Sequence, residues 1–528
     1  MERGHLALVL HAHLPFVRHP EHESFLEESW LFEAVTETYI PLLRVFEGLV
    51  RDGVPFRLTV SLSPTLVTML RDEFLQRRYL THLDKLCKLV ESEVHRTRGD
   101  SRLGPLARFY QGFFGQTREL FDHHYQRDLV TAFAGLERAG VLDLITTGAT
   151  HGYLPLLRTE PSAVRAQLKV AADAHRRAFG TAAGGVWLPE CGYYPGLEAL
   201  VKEAGFRYFV VDTHGLSNAS PRPRRGIWAP AACPNGVAAF GRDADSSRQV
   251  WSHEHGYPGD PLYREFYRDI GFDLDFDYVR PYILDGHTRI QTGIKYYRIT
   301  GADSSKEPYD PQAARARAGA HAEDFVARRL ETIQSPGARL DRPPLVTAPY
   351  DAELFGHWWF EGPVWLDQVI RQVAAQGERL SLVTPSDYLD RHPVLQVLTP
   401  SASSWGEHGY NQFWLNEGNA WIYPHLHEAA RLMHAAAKDF GSEPAGGTVH
   451  RALQQAARSL LLAQASDWAF IMKTGSAVEY AHRRVRDHLA RFHYLEQSLR
   501  AGRVDPRRLN ALEVMDTIFP DLDVRAYA

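Results

Sequence analysis

Gly185-Val186-Trp187-Leu188-Pro189-Glu190-Cys191-Gly192-Tyr193-Tyr194 is a short apolar run that ends in a carboxylate bracketed by proline, glycine and aromatic residues. Val186 to Leu188 read as a buried strand, which sets Glu190 at the strand's carboxyl end, where parallel α/β folds gather their chemistry. Leu345-Val346-Thr347-Ala348-Pro349-Tyr350-Asp351-Ala352-Glu353-Leu354-Phe355-Gly356-His357-Trp358-Trp359 repeats the pattern, ending a strand in an acid followed by aromatics that suit a sugar-stacking surface. Two carboxylates at two strand ends, lined by Trp and Tyr, point to acid/base and nucleophilic work on a carbohydrate. Asp351 and Glu353 both fit the second position.

Working outward, Leu6 to Leu10 form an apolar strand leading into His11-Ala12-His13-Leu14-Pro15, with His11 and His13 on one strand face. Metal ligation, hydrogen bonding to sugar hydroxyls and plain core packing are all open to that pair. Phe56 to Ser61 form a second strand, and Leu142 to Thr147 a third, followed by His151. The fourth carries Glu190. The fifth, Tyr208 to Val211, ends in Asp212, and a sixth runs from Val237 to Phe240 toward Trp251. With the Asp351 strand and Leu380 to Pro385 the count is seven or eight. Strands alternating with helices, and polar residues at successive strand ends, predict a parallel barrel.

Three segments depart from that alternation. Residues 65–139 are helical in pattern with a charged break near 93–102, longer than a crossover requires, and predict a helix-loop-helix insertion at about 66–115. The proline-rich stretch between His214 and Val237 carries Trp228 and reads as a lid over the site, with a surface loop that tucks Trp228 into the body as the alternative. From about residue 400 strand signals vanish, and amphipathic helices near 418–439, 449–465 and 476–500 predict an all-α carboxyl-terminal domain. Its loops carry Trp405, Trp414 and Trp468, which serve either as core plugs or as sugar platforms. The expected domains are thus a catalytic barrel over 1–400 and a helical domain over 401–528.

A chain of 528 residues with a formal charge of −5 has no basic field for nucleic acid or an anionic membrane. No apolar run has transmembrane length and no signal peptide is evident, so a cytoplasmic location is expected. The three cysteines, Cys87, Cys191 and Cys233, show no paired spacing, and Cys191 reads as a small buried filler. Phosphate-binding, Ser-His-Asp and dinucleotide motifs are missing.

His11 to Pro15, Gly148 to His151, Trp187 to Tyr193 and Tyr350 to Trp358 resemble, in order, the motifs of glycoside hydrolase family 57, and nearly the whole chain is similar to its 1,4-α-glucan branching enzymes. The resemblance implies a (β/α)7 barrel with the helical insertion and a carboxyl-terminal domain that completes the substrate groove. It implies Glu190 as nucleophile and Asp351 as general acid/base, with no metal and no cofactor. His11, His13, His151 and Asp212 become donor-subsite walls, and Trp228, Trp251, Trp358, Trp405, Trp414 and Trp468 contacts for an α-glucan such as amylose, amylopectin or a glycogen-like polymer. The implied reaction cleaves an α-1,4 chain and transfers it to a 6-hydroxyl. A family 57 α-amylase or 4-α-glucanotransferase is the near alternative. A metal-dependent deacetylase or mannosidase-like hydrolase, with His11, His13, His151 and Asp212 on zinc, and a non-catalytic glycan-binding protein are the distant ones.

Overall fold

The computed structural model describes residues 4–301, 305–337 and 340–528. Its strands are β1 (His5–Ala12), β2 (Leu58–Leu62), β3 (Leu142–Ile145), β4 (Gly185–Val186), β5 (Tyr208–Val211), β6 (Ala231–Ala232), β7 (Ala238–Gly241), β8 (Leu345–Asp351) and β9 (Ser381–Leu382). β1 is buried along its whole length, as its unbroken apolar run requires of a strand covered on both faces. One parallel sheet has the order β3-β2-β1-β8, with β9 against the start of β1. In the second, β4-β5-β7 are parallel and the short β6 runs antiparallel on β7.

Two backbone bonds cross between the sheets. Trp187 N donates to Thr146 O at 2.8 Å just past β4 and β3, and Asp243 N donates to Thr347 O at 2.8 Å from the end of β7 to β8. Seven parallel strands therefore follow one another in the order β8-β1-β2-β3-β4-β5-β7 and return to β8, with the ladder reduced to single bonds at the two seams. Strand alternation then decides what faces the enclosed space. Ala7 and Val9 of β1, Ile145 of β3, Tyr208 and Val210 of β5, Ala238 and Phe240 of β7 and Leu345 of β8 form one buried cluster with Trp187 and Cys191. Leu6, Leu8 and Leu10 face the other way, into the core shared with the surrounding helices. His11 continues the face of Ala7 and Val9, and Asp351 continues that of Leu345.

Between β2 and β3 the chain is helical, with long helices at Glu73–Arg96 and Gly104–Glu119 separated by the expected break. Asp72 starts the first of them by accepting from Leu75 N at 3.1 Å. The carboxyl-terminal region has helices at Ile422–Phe440, Thr448–Ala463, Ser466–Thr474, Val478–Arg500 and Pro506–Met515. Sequence periodicity missed Ser466–Thr474, which is only nine residues long and looked like a loop around Trp468. The expected strand at Leu380 to Pro385 shrinks to the two residues of β9, because Pro385 and the Thr384 capping box already begin the next helix. Among the described residues no helix is long and apolar enough to cross a membrane.

Candidate active site

Glu190 is presented by strain. After β4, Pro189-Glu190-Cys191 make a single 3-10 turn in which Glu190 (φ 62°) and Cys191 (φ 51°) occupy the left-handed region that side chains disfavour. The next residue is glycine of necessity, since a Cβ at Gly192 would meet the Tyr153 ring at 2.6 Å. The carboxylate so aimed is held at both oxygens. Trp405 Nε1 donates to Oε2 at 2.8 Å, and Ser466 Oγ donates to Oε1 at 3.2 Å. Burial pushes the carboxyl up to about 7, aided by the charge of Asp467 and opposed by the Trp405 bond, by His13 and by Ser466.

Asp351 is the last residue of β8 and the direct neighbour of His11 in the β1 register. Burial raises its carboxyl well above the ordinary range, and the charges of Glu353 and Glu190 add to the rise. No described residue donates a hydrogen bond to it. Glu353 is differently placed: its Oε1 accepts from Tyr39 OH at 2.5 Å and from His13 N at 3.2 Å. A carboxyl tied to a tyrosine and a backbone amide serves as an anchor. Asp351 has no such ties, and its raised carboxyl favours the protonated form.

The three histidines converge as their strand positions required. The His13 and His151 rings stack at 3.9 Å with planes 15° apart, and His11 stacks on His151 at 5.0 Å and on Trp187 at 4.9 Å. His13 Nε2 lies 3.1 Å from both oxygens of Asp467. Asp212 is not with them. It bonds His214 Nδ1 and Arg242 Nη1, each at 3.1 Å, and although burial alone would raise its carboxyl, those two partners bring it below the ordinary value. The four expected zinc ligands therefore do not converge. His13, His151 and Asp467 do bring ligand atoms within 4.8 Å of one another. Imidazole lone pairs lie in the ring plane, however, so two stacked, nearly parallel rings cannot both aim at one ion about 2.0–2.1 Å away. This donor set fits hydrogen bonding to hydroxyls better than metal ligation.

The tryptophans divide. Trp251, 45 % exposed, lines a cavity of about 330 Å³ with Asp212, Arg242 and Arg248, and its ring centroid is 6.4 Å from that of Trp405. Trp358, 55 % exposed, stacks on Phe266 at 4.7 Å. These two suit sugar faces, while Trp405, partly buried, turns its indole N–H to Glu190. Trp414 and Trp468 do neither: at 1 % and 0 % exposure they are core residues, Trp414 stacked on Tyr153 at 4.3 Å and Trp468 bonded through Nε1 to Leu462 O at 2.8 Å. The lid assigned to Trp228 also fails. Its carbonyl accepts from Leu345 N, at the start of β8, and six residues of strand at ~3.3 Å each place that point roughly 20 Å along β8 from Asp351. The loop instead closes the remote end, where Arg225 pairs with Asp341.

Sequence reading missed Ser466, Asp467, Arg242 and Tyr39. Ser466 and Asp467 stood beside Trp468, whose aromatic ring drew the attention that its polar neighbours deserve. Only their helical phase, which turns both toward the barrel while Trp468 turns inward, could have reversed that choice.

A strained, buried glutamate, a buried aspartate whose carboxyl is raised and a histidine wall stand together at the strand ends, the residue types that glycoside hydrolysis uses. The chain belongs to glycosyl hydrolase family 57, whose profile matches residues 7–399, and residues 425–527 match a second profile described as the carboxyl-terminal region of 1,4-alpha-glucan branching enzymes. It is 32 % identical to a 1,4-alpha-glucan branching enzyme of Thermococcus kodakarensis, over 99 % of this chain and 78 % of that one. Among solved structures it is similar to the alpha-amylase AmyC of Thermotoga maritima, with a TM-score of 0.93 and 42 % identity over 100 % of this chain and 99 % of that one. It is also similar to the family 57 branching enzyme of Pyrococcus horikoshii, with a TM-score of 0.89 and 34 % identity over 99 % and 97 %.

Proposed function

We propose that this protein is a 1,4-α-glucan branching enzyme that works by retaining transglycosylation. The observation that carries the reading is the match of residues 425–527 to the branching-enzyme carboxyl-terminal profile, in a chain whose Glu190 is held by two donors, Trp405 and Ser466, from that side of the molecule.

In the mechanism we infer, Glu190 attacks the anomeric carbon of an α-1,4 glucan while Asp351 protonates the departing glycosidic oxygen. The two opposite protonation states coexist because Trp405 and Ser466 supply hydrogen bonds to Glu190, whereas Asp351 has burial and two carboxylate neighbours. In the second half Asp351 takes the proton of an incoming 6-hydroxyl, which displaces the glucan from Glu190 with the original anomeric configuration restored. His11, His13 and His151 hold donor hydroxyls, and Trp251 and Trp358 stack on sugar faces. Residues 1–400, with the helical segment 66–115, act as the catalytic domain, and residues 401–528 complete the groove.

A second reading, an α-amylase, is favoured by the 42 % identity to the Thermotoga maritima enzyme. The two differ only in whether water or a sugar hydroxyl reaches the covalent intermediate. Incubation with amylose, with new α-1,6 linkages counted against new reducing ends by proton NMR and debranching, separates them. Branching predicts mostly linkages. Reducing ends without branches would mean an amylase, and chain redistribution with neither would mean a 4-α-glucanotransferase.

A further inference from the structure

His11 and His151 lie beside Glu190, and their hydrogen bonds admit only one direction. Ser61 Oγ is 3.2 Å from His11 Nδ1, His11 Nε2 is 3.0 Å from His151 Nε2, His151 Nδ1 is 2.8 Å from Ser466 Oγ, and Ser466 Oγ is 3.2 Å from Glu190 Oε1. An ionised carboxylate only accepts, so Ser466 gives it a hydroxyl proton and accepts from His151. Burial holds both imidazoles well below their ordinary range, with the neighbouring histidines adding to the effect, so each is neutral. A neutral imidazole donates at one nitrogen and accepts at the other. His151, donating at Nδ1, must accept at Nε2 from His11, and His11 must accept at Nδ1 from Ser61.

We propose that Ser466 is a positioning residue for the nucleophile: it ends a one-way chain of donors, Ser61 to His11 to His151 to Ser466, that fixes Glu190 Oε1 and sustains its ionised form. Each donor in such a chain polarises the next, so the last is stronger than an isolated hydroxyl. The backbone is built to hold the junction. Ser466 N donates to His151 O at 3.0 Å, and Gly152 bridges Ala465 beside it. His151, at φ 59°, is strained as Glu190 is, so unfavourable conformations stand at both residues that Ser466 joins. Ser466 comes from the first turn of the helix Ser466–Thr474, which makes the carboxyl-terminal region part of the nucleophile's support. The charged and titratable groups facing Glu190 are Asp467 from that helix, His13 beyond β1, His151, Tyr153, Cys191 and Asp351. Of these only His151 is joined to it through Ser466.

The inference rests on the reading of Glu190 as nucleophile, and its test is separable from that reading. In full-length protein labelled with [δ-13C]glutamate, the Glu190 carboxyl signal is assigned by its loss in Glu190→Gln and titrated in each variant. Ser466→Ala raises the midpoint by about one pH unit, Ser466→Thr restores it, and Ser61→Ala raises it by less. Below the midpoint, kcat of Ser466→Ala falls up to about 10-fold, the factor that one pH unit sets on the ionised fraction, while KM barely moves. An unchanged midpoint in Ser466→Ala, or Ser466→Thr matching Ser466→Ala, overturns the proposal. Should Ser466→Ala not fold, Ser61→Ala reads the same chain from its far end, and an unchanged midpoint there overturns it equally. Full turnover by Glu190→Gln would instead remove the nucleophile assignment, with the midpoints still deciding the chain.

Discussion

The indole N–H of Trp405 lies 2.8 Å from Glu190 Oε2, joining residues 215 positions apart. Trp405→Phe keeps the ring and deletes the donor, so it raises the carboxyl further and lowers kcat/KM at pH 6 by roughly 10- to 100-fold. At pH 8, where a larger share of Glu190 is ionised in both proteins, the loss is smaller. Equal losses at the two pH values would contradict this role.

The pH profile of the wild type follows from the two carboxyls. As the proposed nucleophile, Glu190, at about 7, must be ionised, so kcat/KM falls as pH drops through neutrality. As the proposed acid, Asp351, held well above the ordinary range, must be protonated, so activity falls again on the alkaline side. The two limbs report the pair rather than each residue alone. A profile flat from pH 5 to 7 would refute the assignment of a raised nucleophile.

Asp351 also destabilises the fold above its unfolded titration range. Its folded-state value lies well above the ordinary carboxyl value that it has in the unfolded chain, so between the two the folded chain binds more protons than the unfolded one. Stability therefore falls as pH rises through that window, and the deficit persists above it. Asp351→Asn removes the deficit, and scanning calorimetry should find a higher Tm than wild type at pH 8 with little difference at pH 3.5. The same Tm shift at both values would rule this out.

Trp251 stands 45 % exposed over its cavity. If its ring carries a sugar, Trp251→Ala raises KM for amylose about 2- to 10-fold, the range of one aromatic contact, with kcat little changed. An unchanged KM would leave the ring without a substrate role.

Trp228 gives the opposite expectation. Anchored at Leu345 and remote from Asp351, it has no path to the covalent intermediate. Trp228→Ala should lower Tm and leave the ratio of hydrolysis to transfer at the wild-type value. A raised ratio would restore a lid.

Local patterns carried much of this in the sequence. The buried runs at Leu6 to Leu10 and Leu345 to Tyr350 announced parallel strands with polar residues at their ends, so the grouping of His11, His13, His151, Glu190 and Asp351 was legible. What stayed hidden depends on long-range packing. Aromatic type alone could not separate exposed Trp251 and Trp358 from buried Trp414 and Trp468. Asp212 reads as another strand-end acid until Arg242, 30 residues later, is seen to pair with it. Ser466 acquires a role only when its helix is docked against the His151 loop. The left-handed turn that aims Glu190 leaves no sequence mark beyond Pro189 and Gly192.

The central claim, a glucan carried covalently by Glu190, has a direct test. Asp351→Asn is incubated with an activated α-maltosyl fluoride, which needs no acid to leave, and the protein is digested and mapped by mass spectrometry. Attachment of the maltosyl group to the peptide containing Glu190, lost in the Glu190→Gln, Asp351→Asn double variant, is the predicted result. Attachment to a different carboxylate, or fluoride release from the double variant at the single variant's rate, would contradict it.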